Sequence, residues 1–122
     1  MTRQRIQLGQ IGEEAAAAFL QRRGYHILER NFRNQWGEVD IIAKDKDTIC
    51  FIEVKTRRTE NFGAPFESVT RAKQRKLTHV ALGYLKARES NEGNARFDVV
   101  SVLLKEDEDP RIEIIKNAFD VY

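Results

Sequence analysis

Two carboxylates and a lysine are the residues of this chain whose types and spacing could do chemistry together. Asp40 lies in the run Val39-Asp40-Ile41-Ile42-Ala43, and Glu53 and Lys55 lie in Thr48-Ile49-Cys50-Phe51-Ile52-Glu53-Val54-Lys55. Both runs are rich in β-branched and aromatic residues, and the polar Lys44-Asp45-Lys46-Asp47 between them predicts a hairpin. A turn centred on Lys46-Asp47 sets Asp40 directly opposite Glu53, with Cβ atoms about 4.5–5.5 Å apart on one face. Like charges so close destabilise a sheet, while Ile41, Ile42, Phe51, Ile52 and Val54 mark both strands as buried on at least one face. Such a pair calls for a cation, and a hard ion with oxygen ligands and waters in its shell suits Mg²⁺ or Mn²⁺. Alternation along the strand sends Lys55 to the face of Glu53. A lysine there can orient a metal-bound water, help deprotonate it, or offset charge developing on a phosphate. Acid, acid and lysine around one metal suit the cleavage of phosphodiesters. The plainer alternative is a structural Asp40 near a turn, with Glu53 and Lys55 paired on a solvent face. The paired register, the apolar flanks and the basic stretch that follows favour the site.

The elements that must position these residues can be read in order. Residues 9–23 predict a helix, because Ala15-Ala16-Ala17-Ala18-Phe19-Leu20 is rich in helix formers and Gly24 can end it. Residues 25–32 predict a strand with Tyr25, Ile27 and Glu29 on one face. Asn34-Gln35-Trp36-Gly37 is a turn, followed by the hairpin. A loop is expected over 61–65, then a long helix from Pro65 to about Arg88, with Val69, Ala72, Leu77, Val80, Ala81, Tyr84 and Leu85 facing inward. Residues 90–94 form a loop, and 96–104 and 111–116 are the last two strands. This order points to an α/β or α+β domain over 1–122, with a mixed central sheet and helices packed on it.

Bulk properties bound the reading. The chain has 122 residues, 41% hydrophobic and 33% charged, which suits one folded domain with one core. No apolar run approaches the roughly 20 residues that span a membrane, and no apolar signal core follows the basic N-terminus, so a cytoplasmic protein without membrane association is expected. The single cysteine, Cys50, excludes an internal disulfide or a cysteine-built zinc site and reads as a buried, inert thiol. Net charge is only +2, but Arg57, Arg58, Arg71, Lys73, Arg75 and Lys76 cluster in the middle and flank the candidate site, which favours a phosphate-bearing ligand. The acidic run Glu106-Asp107-Glu108-Asp109, closed by Pro110, reads as a solvated loop. His26 and His79 give no usable pair. Trp36 either stacks on a base or covers the edge of the core, the second being the more ordinary role.

Gly37-Glu38-Val39-Asp40, followed by Phe51-Ile52-Glu53-Val54-Lys55-Thr56-Arg57, resembles the PD-(D/E)xK nuclease superfamily. The resemblance is strongest to the small bacterial YraN-like family, related to archaeal Holliday-junction resolvases. It extends over nearly the whole chain, through Gly9-x-x-Gly12-Glu13, Gly24-Tyr25-x-Ile27-Leu28, Asn31-x-Arg33 and Arg96-Phe97-Asp98-Val99-Val100. It implies a restriction-endonuclease-like fold, a central mixed sheet flanked by helices. It also implies metal ligation by Asp40, Glu53 and the backbone carbonyl of Val54, with Lys55 as the catalytic lysine. In the resolvase-like branch a helical glutamate completes the site, and Glu13 stands at that place; a favourable charge in a helix's first turn is its bland alternative. Glu14 is expected in solvent. Gln74 resembles a glutamine found beside the site in some branches, but equally fits an ordinary exposed helix position. Arg57 and Lys73, near the catalytic end of the hairpin, are expected to contact phosphate, and Asp98 to pair with Arg96 or a loop amide. Val39 replaces the proline usual before the first aspartate.

These readings converge on a Mg²⁺-dependent or Mn²⁺-dependent endonuclease acting on branched or structured DNA, with a homodimer implied by the resolvase likeness. A non-catalytic nucleic-acid-binding module of the same fold is the principal alternative, and a small assembly protein keeping the fold as a relic is a third.

Overall fold

The sequence folds into α1 (Arg3–Arg22), β1 (His26–Asn34), β2 (Gly37–Asp45), β3 (Thr48–Arg57), α2 (Arg71–Ala87), β4 (Asn94–Leu103) and β5 (Arg111–Phe119). This is a computed structural model, and it describes residues 3–58, 69–88 and 94–119. The five strands make one sheet in the order β1-β2-β3-β4-β5, antiparallel except for the parallel β3–β4 pair that α2 connects. Helix α1 packs on one face, over Ile41, Ala43, Cys50, Ile52, Val100 and Val102. Helix α2 packs on the other, over Val39, Ile42, Ile49, Phe51, Phe97 and Val99. The architecture is α/β with a mixed sheet between two helices, consistent with a restriction-endonuclease-like fold.

Helix α1 starts at Arg3 rather than Gly9, so both early glycines lie within it. Gly12 is there for contact: a Cβ would stand 1.8 Å from Thr56 Oγ1, so only glycine lets the helix lie this close to β3. Its end is a Schellman motif. The Tyr25 amide donates to Leu20 O at 3.0 Å and the Gly24 amide to Gln21 O at 3.0 Å, with Gly24 at φ 88°. Tyr25 therefore belongs to the cap and not to the strand, and its ring joins Leu20 in the core beneath α1.

Strand β1 breaks simple alternation. A bulge between Ile27 and Glu29 sends Ile27 to the α1 core and Leu28 to the α2 core, and leaves Glu29 exposed rather than aligned with Ile27. Asn31 adds a left-handed residue, φ 51°, within the strand.

The hairpin register is the expected one: Ile41 pairs with Ile52, Ile42 with Phe51 and Ala43 with Cys50, around a turn that narrows to Lys46-Asp47. Lys46 takes φ 55° to close it.

Helix α2 begins at Arg71, because extended Thr70 is its N-cap and accepts from the Lys73 amide at 3.3 Å. Val69 is buried but precedes the helix, and Ala72 is exposed; the expected start at Pro65 and the 61–65 loop lie outside the described residues. The inward stripe is Leu77, Thr78, Val80, Ala81 and Tyr84, with Leu85 partly buried. Thr78 is tolerated in this apolar stripe because its hydroxyl donates to Gln74 O at 2.9 Å. Of the expected 90–94 loop, Asn94 already belongs to β4 and the rest lies outside the described residues. Strand β5 runs on to Phe119, whose ring stacks on Phe97 at 4.8 Å. The acidic run lies exposed between β4 and β5. No helix among the described residues is long and apolar enough to cross a membrane.

Candidate functional site

The β2–β3 ladder ends at Ile41–Ile52, one pair before Asp40 and Glu53. Beyond it, β2 stays on β1 as far as Gly37 and β3 stays on β4 as far as Arg57, so a fork opens between them. The expected ladder pair of Asp40 with Glu53 is thereby corrected. Its backbone bonds are replaced by side-chain ones: the Val54 amide donates to Asp40 Oδ2 at 2.8 Å, and the Asp40 amide donates to the Glu53 carboxylate. Each acid satisfies an amide that the opened ladder leaves without a backbone partner.

The fork gathers charge from both sides of the sheet. Glu13, midway along α1, hydrogen-bonds to Asp40. Lys55 lies two residues beyond Glu53 on β3, and both Lys55 and Lys73 bring positive charge to Glu53. Asp40, Glu53 and Lys55 are all half-buried, so the solvent-face alternative does not describe them. The cleft at the fork holds about 380 Å³; Asp40, Glu53, Lys73, Lys76 and Trp36 are among its walls.

Burial, then the neighbouring Asp40 charge, pushes the Glu53 carboxyl up to about 7, against the pull of Lys55 and Lys73. Burial also raises Asp40, opposed by the Val54 amide, Lys55 and Glu13. Glu13 is raised by burial and by Asp40, opposed by Arg30. The Glu13–Asp40 hydrogen bond favours the proton on Glu13, since it raises Glu13 and lowers Asp40. Burial and then Lys73 lower Lys55. These acids are under-compensated, and their oxygen donors suit a hard divalent cation. Among the described residues, however, no three His, Cys, Asp or Glu side chains converge as a ligand set. The carboxylates meet pairwise through Asp40.

Other expected residues fall elsewhere. The Gln74 amide donates to Val69 O at 2.9 Å, tying down the chain that enters α2, and Gln74 is not among the walls of the cleft. Arg57 continues the face of Glu53 and Lys55 on β3 and does not line the cleft. Glu14 is exposed and pairs with Arg30 at 3.0 Å. Asp98 accepts from Arg96 Nε at 3.0 Å, the expected partner, and from the Asn117 amide at 2.9 Å, which belongs to strand β5 and not to a loop. His26 and His79 are exposed. Cys50 is fully buried, and burial pushes its thiol up to about 12, which makes it inert. Sequence reasoning places Lys76 only in the basic cluster beside the site, without singling it out, and misses Arg30. Lys76 was legible as the residue three beyond Lys73 on one helix face; Arg30 was hidden by the β1 bulge.

A family model described as uncharacterised protein family UPF0102 matches residues 12–102, from Gly12 on α1 to Val102 on β4. Proteins named UPF0102 protein are similar over almost the full length. One from Desulfosudis oleivorans is 52% identical over 120 residues, covering 98% of this chain and 95% of the relative. One from Syntrophus aciditrophicus is 48% identical, covering 97% and 92%. One from Caldicellulosiruptor saccharolyticus is 50% identical, covering 93% and 97%. With that span and identity, the chain belongs to the uncharacterised protein family UPF0102.

Proposed function

We propose that the protein is a metal-dependent endonuclease that hydrolyses phosphodiesters in branched or structured DNA. The observation that carries this reading is the fork itself: Asp40 and Glu53, half-buried and both raised in pKa, share one cleft with Lys73, and Lys55 on the same strand as Glu53 acts on both acids. Acids left under-compensated, beside cations aimed at the same space, fit a cation and a phosphate together.

Asp40, Glu53 and the Val54 carbonyl are the residues that would hold Mg²⁺ or Mn²⁺, with Glu13 acting on Asp40. The bound cation would supply a water of lowered pKa and offset negative charge on the phosphate. Glu53 must lose its proton to act as a ligand, which its value of about 7 permits near neutrality. Lys55, lowered by burial, can orient an attacking water and take its proton at Nζ. Lys73 and Lys76, at the cleft mouth, hold the phosphate backbone. A homodimer would let two such sites cut two strands.

Purified protein incubated with Mn²⁺ and labelled four-way junctions should cleave them, and Asp40→Ala should not. Cleavage unchanged in Asp40→Ala would overturn the reading. The absence of a three-side-chain ligand set among the described residues favours one alternative, a non-catalytic nucleic-acid-binding module. Salt-sensitive DNA binding without any Mn²⁺ binding by calorimetry would mark that module.

A further inference from the structure

Trp36 is the only tryptophan, and it is 45% exposed. Its position is set by α2. Asn34 Nδ2 donates to Val80 O at 3.1 Å, and the Trp36 amide donates back to Asn34 Oδ1 at 3.1 Å, which fastens the β1–β2 turn to the helix. The indole lies on Gly83, where a Cβ would stand 2.4 Å from Cζ3 of the ring. Glycine weakens a helix interior relative to alanine, so α2 accepts a weak position to seat this ring.

Covering the edge of the core accounts for the buried part of the indole. The exposed part separates two clefts. One is the fork cleft, with Lys73 and Lys76. The other, about 370 Å³, is lined by Phe32, Gly83, Ala87 and Lys86 beside the same indole. Lys73, Lys76, Gly83 and Lys86 succeed one another along α2 over about 20 Å at the helical rise of 1.5 Å per residue, and each lines a cleft that Trp36 also lines. Cations at both ends of a row with an aromatic face between them match the way single strands are held, backbone on lysines and base on a ring.

We infer that Trp36, seated on Gly83, is the stacking platform for one unpaired base of a DNA strand that runs along Lys73, Lys76 and Lys86. The preferred substrate then carries a single-stranded segment beside the phosphate to be cut. This rests on the nuclease reading and deepens it.

Because Trp36 is the sole tryptophan, its emission reports the event directly. Wild-type protein without divalent cation is titrated with labelled oligothymidylate and, separately, a blunt duplex at one fixed salt concentration, following anisotropy and tryptophan emission together. Oligothymidylate should quench the emission and the duplex should not. Trp36→Leu should bind oligothymidylate about tenfold more weakly, and Trp36→Phe, which keeps a ring face, should restore most of that loss. Lys86→Glu, on the helix surface, should weaken oligothymidylate more than duplex even if Trp36→Leu folds poorly. Binding by anisotropy with unchanged emission, equal quenching by both forms, or Leu and Phe variants of equal affinity would each overturn the platform. If junction cleavage remains Asp40-dependent in that case, the nuclease reading stands without it. If wild-type protein binds neither form, both fall.

Discussion

At the turn end of the β2–β3 hairpin, Asp45 and Asp98 meet Arg96; at its open end, Asp40 meets Glu53 and Glu13. Both groups are acids drawn into the sheet, yet they are compensated in opposite ways. Asp98 has no exposed side-chain surface and takes two bonds of 3.0 Å from Arg96 Nε, while Arg96 Nη2 reaches Asp45 at 2.9 Å and the Tyr25 hydroxyl at 2.8 Å. Hydrogen bonding by Arg96 holds Asp45 below the usual carboxylate range. Burial works against the Arg96 charge, but its bonds to Asp98 and Asp45 more than offset that and raise it. At the open end, by contrast, every acid is raised and the nearest lysine is lowered. One group is a closed ion network that staples β2, β4 and β5; the other retains unmet charge that a ligand can satisfy. Burial of acids alone therefore says little about function.

Breaking the closed network should give the largest effect. Arg96→Ala strands two acids and should cost about 3–5 kcal/mol of stability, read by urea unfolding. Lys55→Ala should leave stability near wild type while lowering junction cleavage about 10²–10⁴-fold. A comparable loss of stability in both variants would erase the contrast.

The ionisation signs supply a finer test. Glu53 holds its proton more tightly when folded, so the stability linked to it is complete below its ordinary value of 4.5 and is lost as pH rises through about 7. Glu53→Gln should consequently stabilise the metal-free protein at pH 8, by about 1–3 kcal/mol, and flatten the fall of Tm across that window. Asp45, shifted down, acts the other way: its contribution is present above the ordinary carboxylate value of 3.8 and disappears only as pH falls through its lowered one. The smallest effect belongs to Lys116, 3.6 Å from Asp45 and more than half exposed. Lys116→Ala should change stability by less than about 1 kcal/mol, leaving Arg96 as the holder of the network.

The open end was far more legible in the sequence than the closed one. Strand alternation and a polar turn are local signals, and they gave the Ile41–Ile52 register and the common face of Glu53 and Lys55. The fork was not local: it arises because β2 follows β1 and β3 follows β4 past position 41, which no periodicity in the hairpin encodes. Arg96 and Asp45 are brought together by the parallel β3–β4 crossover, so only the Arg96–Asp98 half of their network could be anticipated. The start of α2 was misplaced because Pro65 offers a plausible first turn, whereas the Thr70 cap depends on backbone geometry. The family resemblance draws Gln74 toward the site, although its amide is spent on Val69. Nothing local in the sequence marks Gly83 as the seat of the Trp36 indole, because the contact joins α2 to the β1–β2 turn.

The central claim, that the fork is a cation site, is tested most directly by anomalous diffraction from crystals soaked in Mn²⁺. A manganese peak is expected between Asp40 and Glu53 next to the Val54 carbonyl in the wild-type protein, and none there in Asp40→Asn. A fork without manganese in well-soaked wild-type crystals, or an equal peak in the variant, would contradict it.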